Sequence, residues 1–331
     1  MNELRGNSVA WPAALGLAAT VIALLLFLEF FEPWNTTLLW REIFNFGHLP
    51  LFGVISILVL RAVNLTAGSR YSALGRYGAA LAITILLAAL SEAVQIGGPR
   101  DADFYDFLRD VTGALSFLLI HLSSSETALQ AVPAIPARQR RMVLVLSAIV
   151  LAGISAFPLA RLSTAWVNRD LMFPRLLSFE HWWEQPFVNA DSATATVVVQ
   201  EGGNAGAMAN HILNVDFRAA TYTGLILQDI YPDWRGYTQL SFIVHSQSSQ
   251  AEQLRLRIDD VQAQKRRDDR FERIIDIPPG QTEILLPLAD IEYGPLDGRK
   301  LRMDRIKRIV LFSASQPRRE FRMSFDNFEL R

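Results

Sequence analysis

The twenty residues SEAVQIGGPRDADFYDFLRD (91–110) set Glu92, Arg100, Asp101, Asp103, Asp106 and Asp110 between stretches that are otherwise strongly apolar. Even on insertion-based scales, a charge near the centre of a bilayer costs about 2.5–3.5 kcal/mol. A turn between two membrane-spanning helices, with its acids at one interface, reconciles these charges with the flanking sequence. That reading organises the chain on both sides.

A helix needs about 20 mostly apolar residues to cross the hydrocarbon layer. Residues 77–96 are interrupted only by Glu92, 43–60 only by His48, 9–31 only by Glu29, and 142–160 by no charge. Residues 104–122 are cleanly apolar only over 111–120, so their first turns carry Asp106, Arg109 and Asp110 at the interface. Five spans are predicted within residues 1–160. The first is too long for a secretory signal and has no small-residue cleavage site in EFFEPWNTT, so an uncleaved anchor is expected.

Lys and Arg in short loops mark the cytoplasmic side. Arg61, Arg70 and Arg76 follow the second span, and Arg138, Arg140 and Arg141 precede the fifth. With Arg5 also inside, five spans send the remainder of the chain across the membrane. The expectation is a multi-pass plasma (inner) membrane protein with a cytoplasmic N-terminus and an extracytoplasmic C-terminal domain. The 331 residues are 50% hydrophobic with a formal net charge of -1, which points to no nucleic-acid partner, and the oligomeric state is left open. The absence of Cys excludes disulfides, thiolate metal sites and a Cys nucleophile.

This topology brings His48, Glu92, Gln95, Asp106 and Asp110 to one depth, on the outer side. Glu92 and Gln95 share a helix face, as do Asp106, Asp110 and Gly113. Asp101 and Asp103 need no more explanation than acids at a helix start. His48, Glu92 and Asp110 lie in or beside apolar sequence and require partners, so a polar pocket is expected there.

FNFGHLPLF, SEAVQ and GPRDADFYDFLRDVTGALSFLL resemble the VanZ-like membrane proteins. In that family a His opens one span and Glu-x-x-Gln closes the next; then come an Arg, a loop, and Asp-x-x-x-Asn-x-x-Gly opening another. The matching positions are His48, Glu92, Gln95, Arg100, Asp106, Asp110 and Gly113, within about residues 40–122. Asn45 stands where members often carry a basic residue, and Asp110 replaces the usual Asn. The resemblance implies a cell-envelope protein, the founding member being associated with glycopeptide resistance, and supplies no reaction. A His beside carboxylates and an Arg suits general acid/base chemistry with an anion clamp on a phosphate- or glycan-bearing lipid. It equally suits an ion-pair network that locks helices together. Oxygen ligands with one imidazole suit a divalent ion better than catalytic zinc. Transport is less favoured, because Glu29 is the one charge lying deep.

From residue 177 onward, short alternating segments with turn punctuation predict an all-β sandwich, joined to the spans by a linker at 161–176. At least eight strands are expected, from HILNVDF to a closing FRMSFDNFEL read as a clean alternation. LLSFE, YPDWRGYTQLSFIV, DDRFERIIDIPPGQTEILLPLADI and MSFDNFEL resemble the galactose-binding-like jelly rolls of carbohydrate-binding modules. The resemblance implies a structural calcium, placing Glu180 and Asp326 among its ligands. It also implies sugar stacking on aromatic rings, with Trp182, Trp183, Tyr231, Trp234 and Tyr237 as candidates, although each ring also suits the core or a headgroup region. The charged turn QKRRDDRFER reads as a solvated hairpin. The combined expectation is an envelope protein that engages a glycan or glycolipid. The alternative is a non-enzymatic anchor or sensor whose jelly roll binds protein or sugar.

Overall fold

The computed structural model describes residues 3–31, 37–67, 70–96, 103–131, 136–200, 210–264, 266–315 and 319–331, with backbone alone for 3–10. The chain divides into two compact units, residues 1–160 and 161–331. The first holds α1 (Glu3–Phe30), α2 (Leu38–Ala67), α3 (Ala73–Gln95), α4 (Phe104–Ser124) and the short α5 (Glu126–Gln130). It also holds most of α6 (Ala137–Met172). Four of these, α1, α2, α3 and α6, are long and apolar enough to cross a membrane. α4 has 21 residues but carries Asp106, Arg109 and Asp110 in its first two turns.

The helical unit is apolar outside and partly polar inside. Trp11, Leu15 and Phe27 on α1, Leu86, Leu90 and Val94 on α3, and Ile149, Ile154 and Phe157 on α6 are exposed. Inside, Phe52, Ile55 and Leu60 of α2 pack with Ala80 and Ala88 of α3 and Leu118 of α4. Two glycines set the close approach of α2 and α4. A Cβ on Gly113 would lie 2.2 Å from the carbonyl oxygen of Leu49, and one on Gly53 would lie 2.3 Å from the Phe117 ring. Small residues of this kind let helix backbones approach where lipid offers no hydrophobic drive for association.

α6 runs 36 residues, so the expected linker is helical as far as Met172. Between Pro158 and Pro174 the sequence contains neither Gly nor Pro, and the helix ends just before Pro174, where a proline disfavours helix in the preceding residue. The last turns of α6 belong to the second unit. There Arg169 is 5% exposed, lies over Trp166 at 4.0 Å and donates to the Asp229 carbonyl at 2.6 Å.

The second unit is an all-β sandwich. Its strands are β1 (Arg175–Leu177), β2 (Val188–Asp191), β3 (Ala193–Val199), β4 (His211–Phe217), β5 (Gly224–Gln228) and β6 (Gln239–Ser246). They continue with β7 (Glu252–Asp260), β8 (Phe271–Ile277), β9 (Gly280–Pro287), β10 (Ile306–Ser313) and β11 (Phe321–Leu330). A helical turn, α7 (Leu288–Glu292), follows β9. One antiparallel sheet runs β3-β4-β11-β6-β9 with β1 added on β11, and the other runs β2-β5-β10-β7-β8. Their facing sides bury Phe217, Phe242, Phe325, Phe328, Leu225, Leu256 and Leu311. Phe242 stacks on Phe328 at 4.7 Å.

All eight expected strands are present; β1, β2 and β3 are additional. β3, ATATVVV, pairs with β4 over its whole length, yet half its residues are Ala or Thr, which weakens its apolar alternation. The closing strand corrects the clean alternation expected of it. Met323, Phe325, Phe328 and Leu330 are all in the core, so the inward phase slips by one residue at Asp326–Asn327. The register with β6 shifts there as well, and Asn327 takes a left-handed φ of 50°. This is a β-bulge, a device that re-aims side chains at a sheet surface.

Candidate functional site

In the helical unit, the α2–α4 contact made possible by Gly113 brings His48 between two acids. His48 Nδ1 lies 2.9 Å from Asp110 Oδ1, and Nε2 lies 3.8 Å from Asp106 Oδ2. Arg109 donates from Nη1 to Asp106 Oδ1 at 2.6 Å and from Nη2 to Glu42 Oε1 at 2.9 Å. Glu42 also accepts from Asn45 Nδ2 at 3.5 Å. The chain Glu42–Arg109–Asp106–His48–Asp110 thus alternates acids with cationic or imidazole groups across one helix interface. His48 is 2% exposed and the Asp110 side chain is fully buried.

Glu92 reaches the same region from α3. Its Oε2 accepts from the Asp103 backbone N–H at 2.9 Å, at the start of α4, where a negative charge complements the helix dipole. Two buried carboxylate oxygens, Glu92 Oε1 and Asp110 Oδ2, have no hydrogen-bond partner among the described residues. Gln95 takes a different direction: it is 2% exposed and donates to Glu29 Oε2 of α1 at 3.3 Å. Arg100 lies outside the described residues.

The sequence reading therefore brought together His48, Asp106 and Asp110 and missed Glu42 and the role of Arg109. The signal was available, since Glu42, Asn45 and His48 follow one another at three-residue spacing, as do Asp106 and Arg109. Five ionisable groups holding one another can exchange a proton through His48 or hold the helices in register.

In the β unit, the outward face of the larger sheet carries a polar row across all five strands of its path. Register places Thr196, Asn214, Ser324, His245 and Gln281 side by side. A cleft of about 230 Å³ opens on this face, lined by Gln200, Asn210, Ile212, Ile243, His245, Gln281, Asp326 and Asn327. Amides, an imidazole and a carboxylate over two isoleucines form a hydrogen-bonding surface with an apolar floor. A second groove on the same face is lined by Thr194, Asp216, Arg218, Gln247, Glu320 and Arg322.

Asp326 lies at the floor of the cleft, 7% exposed. Its Oδ2 accepts from Asn210 Nδ2 at 3.2 Å, and its Oδ1 is buried with no side-chain partner among the described residues. Burial pushes its carboxyl above the usual range, against the hydrogen bonds from the Asn210 amide and the Asn327 backbone N–H, with the charge of Glu180 adding to the rise. Glu180 commits both oxygens to His211, accepting from its backbone N–H at 3.0 Å and lying 2.9 Å from its Nδ1. Among the described residues no group of three or more His, Asp or Glu converges as a metal site. Glu180 and Asp326 supply two carboxylates toward the six to eight oxygens that calcium takes.

The aromatic candidates are placed apart from the cleft lining. Trp234 is fully buried with its Nε1 donating to the Tyr231 carbonyl at 2.9 Å, and Trp183 is 7% exposed. Tyr231 stacks on Phe173 at 4.0 Å, and Tyr237 meets the same ring edge-on at 5.2 Å. Trp182 alone of the five is half exposed, with Arg161 over its ring at 5.7 Å. Large rings contribute most where they remove most apolar area from water, and this fold uses four of the five for packing.

No protein-family profile matches the chain, the VanZ-like one included. No curated protein sequence matches it. Among solved structures it is similar to an exo-β-agarase, at 20% identity and a TM-score of 0.38, over 47% of this chain and 24% of that one. It is also similar to a family 11 carbohydrate-binding module from Clostridium thermocellum, in complex with a β-1,3-1,4-mixed-linked tetrasaccharide. That match has 19% identity and a TM-score of 0.35, over 47% and 93% of the two chains. A third is the CBM22-1 xylan-binding domain from Paenibacillus barcinonensis, at 14% identity and a TM-score of 0.31, over 47% and 93%. The chain thus spans about a quarter of the length of the agarase it matches.

Proposed function

We propose that this is a cell-envelope membrane protein that binds a glycan in the cleft on the larger sheet of its β-sandwich. The observation that carries the reading is the cleft itself. Four amides, an imidazole and a carboxylate surround two aliphatic side chains, a set matched to a ligand rich in hydroxyls with apolar ring faces. The helical unit is read as a VanZ-like core of five spans, α4 included. The N-terminus is cytoplasmic and the sandwich extracytoplasmic. The burial of Asp106 and Asp110 against α2 supports counting α4 as a span, because a polar stripe turned inward leaves the helix exterior apolar.

In this reading the His48 cluster is the polar membrane site, with Asp110 orienting the imidazole and Arg109 set beside Asp106. A second reading is favoured by one observation: Arg109 already has carboxylates on both terminal nitrogens. The network then serves to lock α2 to α4 while the sandwich alone binds ligand.

The test is binding of the full chain, in detergent micelles, to a broad panel of envelope and plant-type glycans. The account expects selective binding that is lost in the double variant His245→Ala/Gln281→Ala. Absence of binding to the whole panel by folded protein contradicts it.

A further inference from the structure

The cleft contains one obligate acceptor, and what it would accept narrows the glycan class; this step rests on the glycan reading above. The amides of Gln200, Asn210 and Gln281 both donate and accept, so they adapt to any hydroxyl, whereas an ionised carboxylate only accepts. Asp326 is more than nine-tenths buried at the floor of the cleft, with no side-chain partner on Oδ1 among the described residues. A buried acceptor left unsatisfied carries the cost of its lost hydration, so a donor entering the cleft gains from meeting it.

The charges around Asp326 do not already neutralise it. On β11 itself the neighbouring Asn327 is uncharged, and its backbone N–H interacts with the Asp326 carboxyl. Glu180, before the sandwich strands begin in earnest, adds negative charge and is engaged by His211 of β4. Arg175 of β1 acts on Asp326 only through space, more weakly than Glu180 does. Across β6 the cleft offers His245, and on β9 Glu283 is paired with Arg331 at 2.7 Å. No guanidinium or ammonium group hydrogen-bonds Asp326 among the described residues; its side-chain partner is the Asn210 amide. The bulge at Asp326–Asn327 keeps Phe325 and Phe328 in the core while Asp326 faces the cleft, at the cost of a left-handed residue.

We propose that Asp326 recognises a free primary amine on the bound sugar, so that the ligand is a glycan containing de-N-acetylated amino sugar. A protonated amine presents three donors and a positive charge to a site that is acceptor-only and negative. A charge-assisted hydrogen bond of this kind is roughly twice as strong as the neutral bond a hydroxyl would make.

The experiment compares three probes on the full chain in detergent micelles, with a chelator present and at a series of pH values from mildly acidic to neutral, because the raised Asp326 carboxyl must be ionised while the sugar amine is protonated. They are the β-1,4-linked tetramers of glucosamine, of N-acetylglucosamine and of glucose. The glucosamine tetramer is expected to bind about ten-fold more tightly than either neutral tetramer. In Asp326→Asn the preference for the glucosamine tetramer over the glucose tetramer falls to within about two-fold. The unfolding midpoint of the variant is measured alongside, and the discrimination by the unmutated chain stands without it. Equal binding of the glucosamine and glucose tetramers overturns the amine assignment and leaves glycan binding intact. Failure of the wider glycan panel as well overturns both.

Discussion

His48 Nδ1 and Asp110 Oδ1 lie 2.9 Å apart across the α2–α4 interface, although 62 positions separate them in sequence. Asp106 Oδ2 approaches the other ring nitrogen only to 3.8 Å. A double-mutant cycle isolates each pairwise coupling. The coupling of His48 with Asp110 is predicted to exceed that of His48 with Asp106, and His48→Ala alone to cost about 1–3 kcal/mol. Unfolding in mixed micelles measures both. Equal couplings would mean that the closer contact does not fix the imidazole.

The same interface makes a prediction about size. At Gly113 an added methyl meets the backbone of Leu49, which cannot move without shifting α2, whereas at Gly53 it meets the side chain of Phe117. Gly113→Ala is therefore expected to destabilise by about 1–3 kcal/mol, and Gly53→Ala by less. Thermal unfolding of the two variants in one detergent gives the order, and a reversed order would show that the Phe117 ring is the less yielding obstacle.

Glu184 gives the sandwich a pH dependence of definite sign. It is 1% exposed, and burial pushes its carboxyl up, although it accepts from the backbone N–H groups of Phe179 and Ser178 and from the Ser178 hydroxyl. A carboxyl raised in the folded state binds more protons there than in the unfolded chain. Its contribution to stability is present below the unfolded pKa of 4.5 and is lost as pH rises through the higher folded value. Asp326 acts with the same sign. Unfolding midpoints followed upward from mildly acid pH are expected to fall less steeply in Glu184→Gln than in the unmutated chain. An identical slope would remove Glu184 as the source.

The proposed orientation is open to a simple labelling test, because the chain contains no Cys. A membrane-impermeant maleimide applied to intact cells or spheroplasts is expected to label Gln250→Cys and to spare Arg70→Cys until the membrane is opened. The reverse pattern would place the sandwich in the cytoplasm.

Much of this organisation was legible in the sequence because it is written in periods. Long apolar runs mark α1, α2, α3 and α6; the interruptions at His48 and Glu92, with Asp106 and Asp110 at the start of α4, locate the polar cluster. Glu42 and the role of Arg109 escaped notice because each sits among charges that a helix end tolerates anyway; only the three-dimensional crossing shows that they bind one another. The cleft was missed for a different reason. Sugar recognition was sought among aromatic rings, but Trp183 and Trp234 are drawn into the core. The polar row through Thr196, Asn214, Ser324, His245 and Gln281 exists only once five strands, drawn from distant parts of the sequence, fall into register. One local sign was present: in FRMSFDNFEL the apolar spacing lengthens from two to three residues across Asp326–Asn327, which marks the bulge.

The central claim is that the sheet-face cleft, and not an aromatic platform, holds the glycan. The most direct measurement is the dissociation constant of the best-binding glycan for three proteins: the unmutated chain, His245→Ala/Gln281→Ala, and Trp182→Ala. The account predicts a loss of at least about ten-fold in the cleft variant, corresponding to two hydrogen bonds of ordinary strength, and no change in Trp182→Ala. Unchanged affinity in the cleft variant together with a loss in Trp182→Ala would contradict it and move the binding site to the half-exposed indole.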